Sequence, residues 1–360
     1  MRKLWLLMLL PLLLAQAARG DEKPLAPKAV VENANLPAQV AEPSPIAPPA
    51  DVVDYGQWNL QIATFGGQQF WTDLTICQNY RIQKNVMTGH CRLLDPRDVR
   101  QAWGTLGQCE AKLADIKREK GLQSPRGKVV IAMHGLLRSR DQLEGLCRYL
   151  EKEGGYTAIN FGYASSRAEV GEHAAALAKV VQQCDQAEEI SFVAHSLGNI
   201  VLRHYLADCT AGGRPLDPRF KRIVMLGPPN NGAELALRFR NNPLFQLVWG
   251  RSGKQLADQW ESLQPHLATP QCEFGIVAGA RGNAVGLNPL VTGDDDMVVS
   301  VAETKLPGAC DFMTVPVLHG DLMDDAAVRK CTLTFLRDGY FQTAEKRQPI
   351  PTTTARREQP

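Results

Sequence analysis

The stretch ISFVAHSLGNIVLRHYLAD, residues 190–208, constrains this chain more than any other. A β-type apolar run ends at Ser196 and a helical pattern begins at Leu197, so the serine stands on a sharp strand-to-helix turn. Such a turn crowds its surroundings, and small residues two places before and after the serine relieve the crowding. Here they are Ala194 and Gly198, alanine standing where glycine is the commoner choice. A serine that merely capped an ordinary helix would ask for neither small neighbour. The pattern is a nucleophile elbow, with Ser196 as candidate nucleophile.

The sequence on either side fits such an elbow. Between Lys128 and Phe341 short apolar runs alternate with amphipathic stretches, the pattern of a parallel sheet wrapped by helices. The strand candidates are 129–135, 156–163, 189–196, 221–229, 272–280 and 312–320. Helices fit the gaps, as from Ala168 to Cys184, where Val170, Ala174, Leu177 and Val181 recur at three- and four-residue spacing. The expected fold class is α/β, a mostly parallel open sheet with right-handed crossovers and helices on both faces.

A serine hydroxyl is a poor nucleophile until a base takes its proton, and the base needs an acid to fix its tautomer. On such a sheet the chain order is serine, acid, histidine. His319 follows the last strand candidate, opens the C-terminal helix and takes the final place; His204 and His266 stand at no strand end. The acid must fall between Ser196 and His319, where GDDDMVVSV offers Asp294, Asp295 and Asp296. Asp296 is the choice, and at least one of the three reads only as part of a solvated turn or a cation site. Two donors must face the developing oxyanion. The backbone N–H of Leu197 is one; the second is that of Leu136, in the His134-Gly135-Leu136 turn after the first core strand, with the His134 imidazole supporting the loop.

Outside residues 125–342, read as the catalytic domain, the composition changes. Arg2 and Lys3, an apolar run from Leu4 to Leu14, and Ala15, Ala17 and Ala18 lay out a signal peptide over 1–18. The run is shorter than the ~20 residues that span a bilayer, so the mature chain is expected to have no transmembrane segment and to be exported, periplasmic or secreted. Residues 19–51, rich in Pro and Ala, read as a disordered tether, and 343–360 as a disordered tail. Residues 52–124 read as an extension packed on the core, with a short strand and turn in TFGGQQFWTDL and a helix from about Asp98 to Lys120. Of nine cysteines, Cys77 and Cys91 form the first pair to test for a disulfide. A net charge of +2 with scattered Lys and Arg offers no footprint for nucleic acid.

In chain order, MHGLL, AHSLGN, GPPNNGAELA, GDDDMVVS and PVLHGDLM resemble the bacterial lipases and esterases of the α/β-hydrolase superfamily, including relatives of the lipid-remodelling deacylases. The likeness runs from about Lys128 to Leu336. It implies an oxyanion hole at Leu136 and Leu197 and an acid in an NDGxVS-like loop, which superposes on Asp296 through Val299-Ser300. Met297 stands where the family has glycine, and this departure keeps Asp295 open as the acid. A helical cap or lid insertion is implied over about 230–271. There Leu244, Phe245, Leu247, Val248 and Trp249 either cover an acyl site, meet lipid or pack as an ordinary cap. Some of these lipases hold calcium through an aspartate two residues after the histidine, the place of Asp321, but no second carboxylate can be assigned. The expected function is cleavage of carboxylic esters, of lipid acyl chains, through an acyl-enzyme on Ser196, with no metal or cofactor. The substrate is a small-molecule or lipid ester, with transient contact to a lipid surface. Acyl transfer, or amide or thioester hydrolysis, would use the same triad; a non-catalytic scaffold binding a partner or the envelope would use none of it.

Overall fold

The computed structural model describes residues 69–352. The expected signal peptide, the tether and the start of the extension lie outside the described residues, as do 353–360. The extension begins as a four-stranded antiparallel sheet, β1 (Trp71–Cys77), β2 (Tyr80–Asn85), β3 (Cys91–Leu94) and β4 (Arg100–Gly104), in the order β1-β2-β3-β4. Helix α1 (Leu106–Lys120) follows, opened by a capping box between Thr105 and Gln108 and closed by Gly121 in the left-handed conformation. The helix expected from about Asp98 therefore starts later, because residues 100–104 pair with β3 instead, Trp103 opposite Arg92. Of TFGGQQFWTDL, the described part turns at Gln69 and Phe70 and enters β1 at Trp71.

Cys77 and Cys91 do not pair. They lie opposite Tyr80 and Lys84 of the strand between them, a separation of about 13 Å along β2, against the ~7 Å limit for a disulfide. All nine cysteines are free thiols.

Six parallel strands form the larger sheet: β5 (Gly127–Met133), β6 (Thr157–Phe161), β7 (Ala187–His195), β8 (Phe220–Leu226), β9 (Glu273–Gly279) and β10 (Asp311–Val315), in the order β10-β9-β8-β7-β5-β6. All six expected strands are present; the last ends at Val315, five residues before its expected end, so that His319 stands beyond it in a short turn. The connecting helices are α2 (Glu144–Gly154), α3 (Val170–Gln182), α4 (Leu197–Thr210), the short insertion helices α5 (Glu234–Phe239), α6 (Pro243–Ala257) and α7 (Trp260–Leu263), the short α8 (Val301–Thr304), and the last helix α9 (Ala326–Asp338). Alternation along β5 shows how they are layered. Val129, Ile131 and Met133 face a core shared with α3, α4, α1 and the antiparallel sheet, while Val130 and Ala132 face one shared with α2 and α9. The fold is thus an α/β-hydrolase fold with helices on both faces and a helical insertion.

Residues 343–352, expected to be unstructured, are fastened to the core. Ile350 accepts a backbone bond from Gly308 (2.8 Å) and donates one to Ala309 (2.9 Å), and its side chain packs on the core. The apolar Ile350 supplies burial that the surrounding polar composition concealed.

Candidate active site

From β5 the chain goes outward to β6, then returns to the other side of β5 with β7 and moves away to β10. Between β5 and β7 the loops therefore diverge, and in open α/β sheets such a switch point is where ligands bind. Ser196 leaves the C-terminal end of β7 and His134-Gly135-Leu136 leaves that of β5.

Ser196 has φ 51° and ψ −123°, and its side chain makes no capping bond to α4. It is therefore a strained turn residue rather than a helix cap, in a conformation that typically costs about 1–3 kcal/mol. Its N–H is anchored on the Leu226 carbonyl at 2.9 Å. A Cβ on Gly198 would come 2.9 Å from the carbonyl oxygens of both Met133 and His134, which is why that position is small. A Cβ on Gly135 would come 3.0 Å from the Ser196 Cβ, so the loop carrying Leu136 passes in contact with the serine. Leu137, with φ 58°, then turns that loop back, and Leu197 opens α4 with its N–H among the unpaired first-turn donors.

The three aspartates are sorted by their partners. Asp294 accepts from the N–H groups of Arg281 and Gly282 (2.7 and 2.9 Å), and Asp295 from those of Leu287, Asn288 and Met297. Both carboxylates hold the 281–297 loop. Asp296 turns the other way: its Oδ2 lies 2.7 Å from His319 Nδ1, and its Oδ1 accepts from Val298 (3.1 Å) and Val299 (2.8 Å). The Asp296 carbonyl also accepts from the His319 N–H at 3.0 Å, so the pair is tied twice. Facing a carboxylate, Nδ1 carries the proton, which leaves Nε2 as the basic ring atom. Nε2 is buried and has no hydrogen-bond partner. Met297 takes φ 84°, the left-handed conformation for which glycine is favoured, so the departure in residue type leaves the turn in place.

His319 sits beside the serine's own anchor, because a Cβ on Gly227, the residue after Leu226, would come 3.0 Å from His319 Nδ1. One neighbour escaped the sequence reading. His195, directly before Ser196, places Nε2 2.9 Å from the His319 carbonyl, its ring 4.7 Å from the His319 ring. A carbonyl only accepts, so His195 Nε2 carries the proton and ties elbow to histidine loop. Burial, reinforced by His319, holds the His195 pKa well below the usual value, so this ring stays neutral. The available signal was a polar ring at the buried end of a strand. His134 is likewise buried: its Nδ1 lies 2.9 Å from the Gly135 carbonyl, its ring stacks on Tyr163 at 4.2 Å, and burial lowers its pKa to about 4.

Asp321 lies near Arg138, whose charge it supports together with Asp324. Among the described residues no group of three or more His, Cys, Asp or Glu side chains is placed to hold a metal ion. In the insertion, Phe245 is buried and stacks on Trp249 at 4.3 Å, while Leu247 is 66% exposed. Gly253 of α6 lies against Leu136, its Cβ position 3.5 Å from Leu136 Cδ2, so the insertion borders the loop that carries Leu136.

Fold and site together define an α/β-hydrolase with a serine at the elbow. Residues 123–225 match a protein-family model described as "Putative serine esterase (DUF676)", which supports a serine ester hydrolase. No curated protein matches the chain by sequence. Among solved structures it is similar to the mature lipase BlEst2 of Bacillus licheniformis, with 19% identity over 59% of this chain and 89% of that one, TM-score 0.43. It is also similar to the lin2722 gene product of Listeria innocua, at 17% identity over 63% and 98%, TM-score 0.42. A third likeness is to phospholipase PlaB of Legionella pneumophila, at 16% identity over 58% and 56%, TM-score 0.41.

Proposed function

We propose that the protein is an exported serine hydrolase that cleaves carboxylic esters of lipids through an acyl-enzyme on Ser196. The observation that carries this reading is the buried Asp296–His319 pair packed on Gly227, next to the Leu226 carbonyl that anchors Ser196, itself held at φ 51° on the switch point of the sheet. His319 Nε2 takes the Ser196 proton as the oxygen attacks the ester carbonyl, and the N–H groups of Leu136 and Leu197 receive the oxyanion. The tetrahedral intermediate collapses, His319 protonates the departing alcohol, and water repeats the sequence to release the acid and free Ser196. His134 is not a proton carrier in this scheme, since a pKa of about 4 keeps it neutral as it supports the loop. The chemistry needs no metal or cofactor.

Lipid esters are favoured by the insertion, where the buried Phe245 and half-buried Trp249 lie just before a break at Gly250, Trp249 meets Gly253, which packs on Leu136, and Leu247 and Val248 are exposed. An apolar wall beside the oxyanion loop suits an acyl chain, and exposed apolar side chains suit passing contact with a lipid surface. Export is supported by the layout of residues 1–18. Among the described residues no helix is long and apolar enough to cross a membrane.

Nitrophenyl esters of increasing chain length test the reading. Turnover is expected to rise beyond four carbons and to rise again when substrate forms a lipid interface, and to vanish in Ser196→Ala. Preference for chains of two to four carbons with no gain at an interface would contradict the lipid substrate; equal turnover by Ser196→Ala would contradict the mechanism.

A further inference from the structure

The antiparallel sheet contributes no group to the scheme above, yet it grips the loop that carries Leu136. Gln69, at its entrance, donates from Nε2 to the Arg138 carbonyl at 3.1 Å and accepts from Ser166 Oγ at 2.9 Å. Asp98, in the turn between β3 and β4, places both carboxylate oxygens 2.5 Å from Arg140 Nη2, and the two side chains are only 28% and 19% exposed. Asp98 holds this position at φ 60°, a left-handed conformation that aspartate tolerates better than most residues. From the other side of the loop, Asn160 of β6 donates to the Arg140 carbonyl at 2.8 Å.

A second grip reaches the start of the same loop. Asp73 of β1 accepts from the Gly162 N–H at 2.7 Å and donates its own N–H to the Gly162 carbonyl at 2.9 Å. The next residue, Tyr163, donates its hydroxyl to the His134 carbonyl at 2.5 Å and its N–H to His134 Nε2 at 3.3 Å. The segment from His134 to Arg140 is thus fixed at both ends by bonds that lead back to the antiparallel sheet. Leu136 and the left-handed Leu137 lie between those fixed points. An oxyanion donor works only when it is aimed in advance, and a small displacement of it is enough to weaken the transition state.

We infer that the antiparallel sheet aims the Leu136 N–H, with Asp98 and Gln69 as positioning residues acting through Arg140 and Arg138; this rests on the ester-hydrolase reading above. Neither residue touches substrate. Their loss raises the energy of the oxyanion without changing how the ester first binds, so kcat falls while KM stays.

The test uses Asp98→Asn, which keeps the size and the backbone tolerance but removes the charge, and Gln69→Ala, which leaves Asp98 intact should the first variant fold poorly. Sites are counted by titration with a fluorophosphonate, so that kcat refers only to intact enzyme. Each variant is expected to lower kcat per titrated site about tenfold, well inside the ~100-fold that a 1 Å misplacement can cost. KM for a nitrophenyl ester should stay within about twofold, while a trifluoromethyl ketone, which binds as a tetrahedral adduct, should weaken in parallel with kcat. Asp98→Asn combined with Arg140→Gln should be no worse than the poorer single variant. Fewer titratable sites with unchanged kcat per site would mean that the sheet only stabilises the fold, and would overturn the inference. Wild-type protein that takes no label would overturn the ester-hydrolase reading itself; labelled wild type with both variants unchanged would overturn the positioning role alone.

Discussion

The two sheets reach burial by opposite means. On β5 of the parallel sheet, Val129, Val130, Ile131, Ala132 and Met133 are all fully buried, and both faces are hydrocarbon. The antiparallel sheet buries Asp73, Arg81, Gln83 and Arg92. There Asp73 accepts from Arg81 Nη1 at 2.6 Å and Gln83 Nε2 at 2.8 Å, while Gln83 accepts from Arg92 at 2.8 Å. Burial lowers the pKa of Arg81, opposed by Asp73, and that of Arg92 to about 10, which leaves Arg92 charged at neutral pH. The parallel sheet is held by the area its side chains remove from water, at about 25 cal/mol per Å²; the antiparallel sheet adds to its own apolar residues, such as Ile82 and Leu93, buried charges that are tolerable only while their partners are present. The first should yield gradually to substitution and the second abruptly.

Carboxylates mark this division. Asp296 belongs to the loops of the parallel sheet, and Asp296→Asn should cut kcat about 10⁴-fold by spoiling the His319 tautomer, with little change in melting temperature. Activity within tenfold of wild type would move the acid elsewhere. Asp73→Ala should do the reverse in emphasis. It leaves the Arg81 guanidinium buried without its carboxylate, held only by the Asn160 carbonyl, which typically costs about 3–5 kcal/mol, measured by urea unfolding. Ile131→Val on the parallel sheet should cost only about 0.5–1.5 kcal/mol, and equal losses at the two positions would erase the distinction between the sheets.

The same contrast explains what the sequence revealed. Runs such as VVIAM and EISFVAH are apolar because strands covered on both faces must be, and all six were legible. WTDLTIC and YRIQKN hide their strands, since Asp73, Arg81 and Gln83 look exposed until their partners are known. Ser196 and His319 were legible through strand ends and chain order. The run Asp294-Asp295-Asp296 was legible only as a set, because which carboxylate turns toward His319 is decided by loop geometry. His195 escaped because its role depends on a carbonyl more than a hundred residues away.

Acid should weaken the fold through its buried histidines. Burial holds His134 at about 4 and His173 at about 3, each below the ordinary 6.5. Below about pH 6.5 the unfolded chain therefore binds protons that the folded chain does not, and stability falls as pH falls through that window. For His134 alone the loss by pH 4 is on the order of 3 kcal/mol. Unfolding measured from pH 7 down to 4.5 should show it, and a stability that rises on acidification would contradict the buried neutral rings. The smallest effect is expected at Met297. Its left-handed backbone costs about 1–2 kcal/mol, and glycine gives back about 0.4–1 kcal/mol through the freer unfolded chain. Met297→Gly should thus stabilise by about 0.5–1 kcal/mol with kcat unchanged, whereas destabilisation would show that the side chain, not the turn, matters there.

The claim on which the rest depends is that Ser196 is the nucleophile, and covalent labelling reads it directly. Folded wild-type protein treated with a fluorophosphonate should gain the mass of one phosphonyl group, located after digestion on the peptide containing Ser196, and Ser196→Ala should gain none. A wild-type protein that takes no label, or a Ser196→Ala variant labelled to the same extent, would contradict the account.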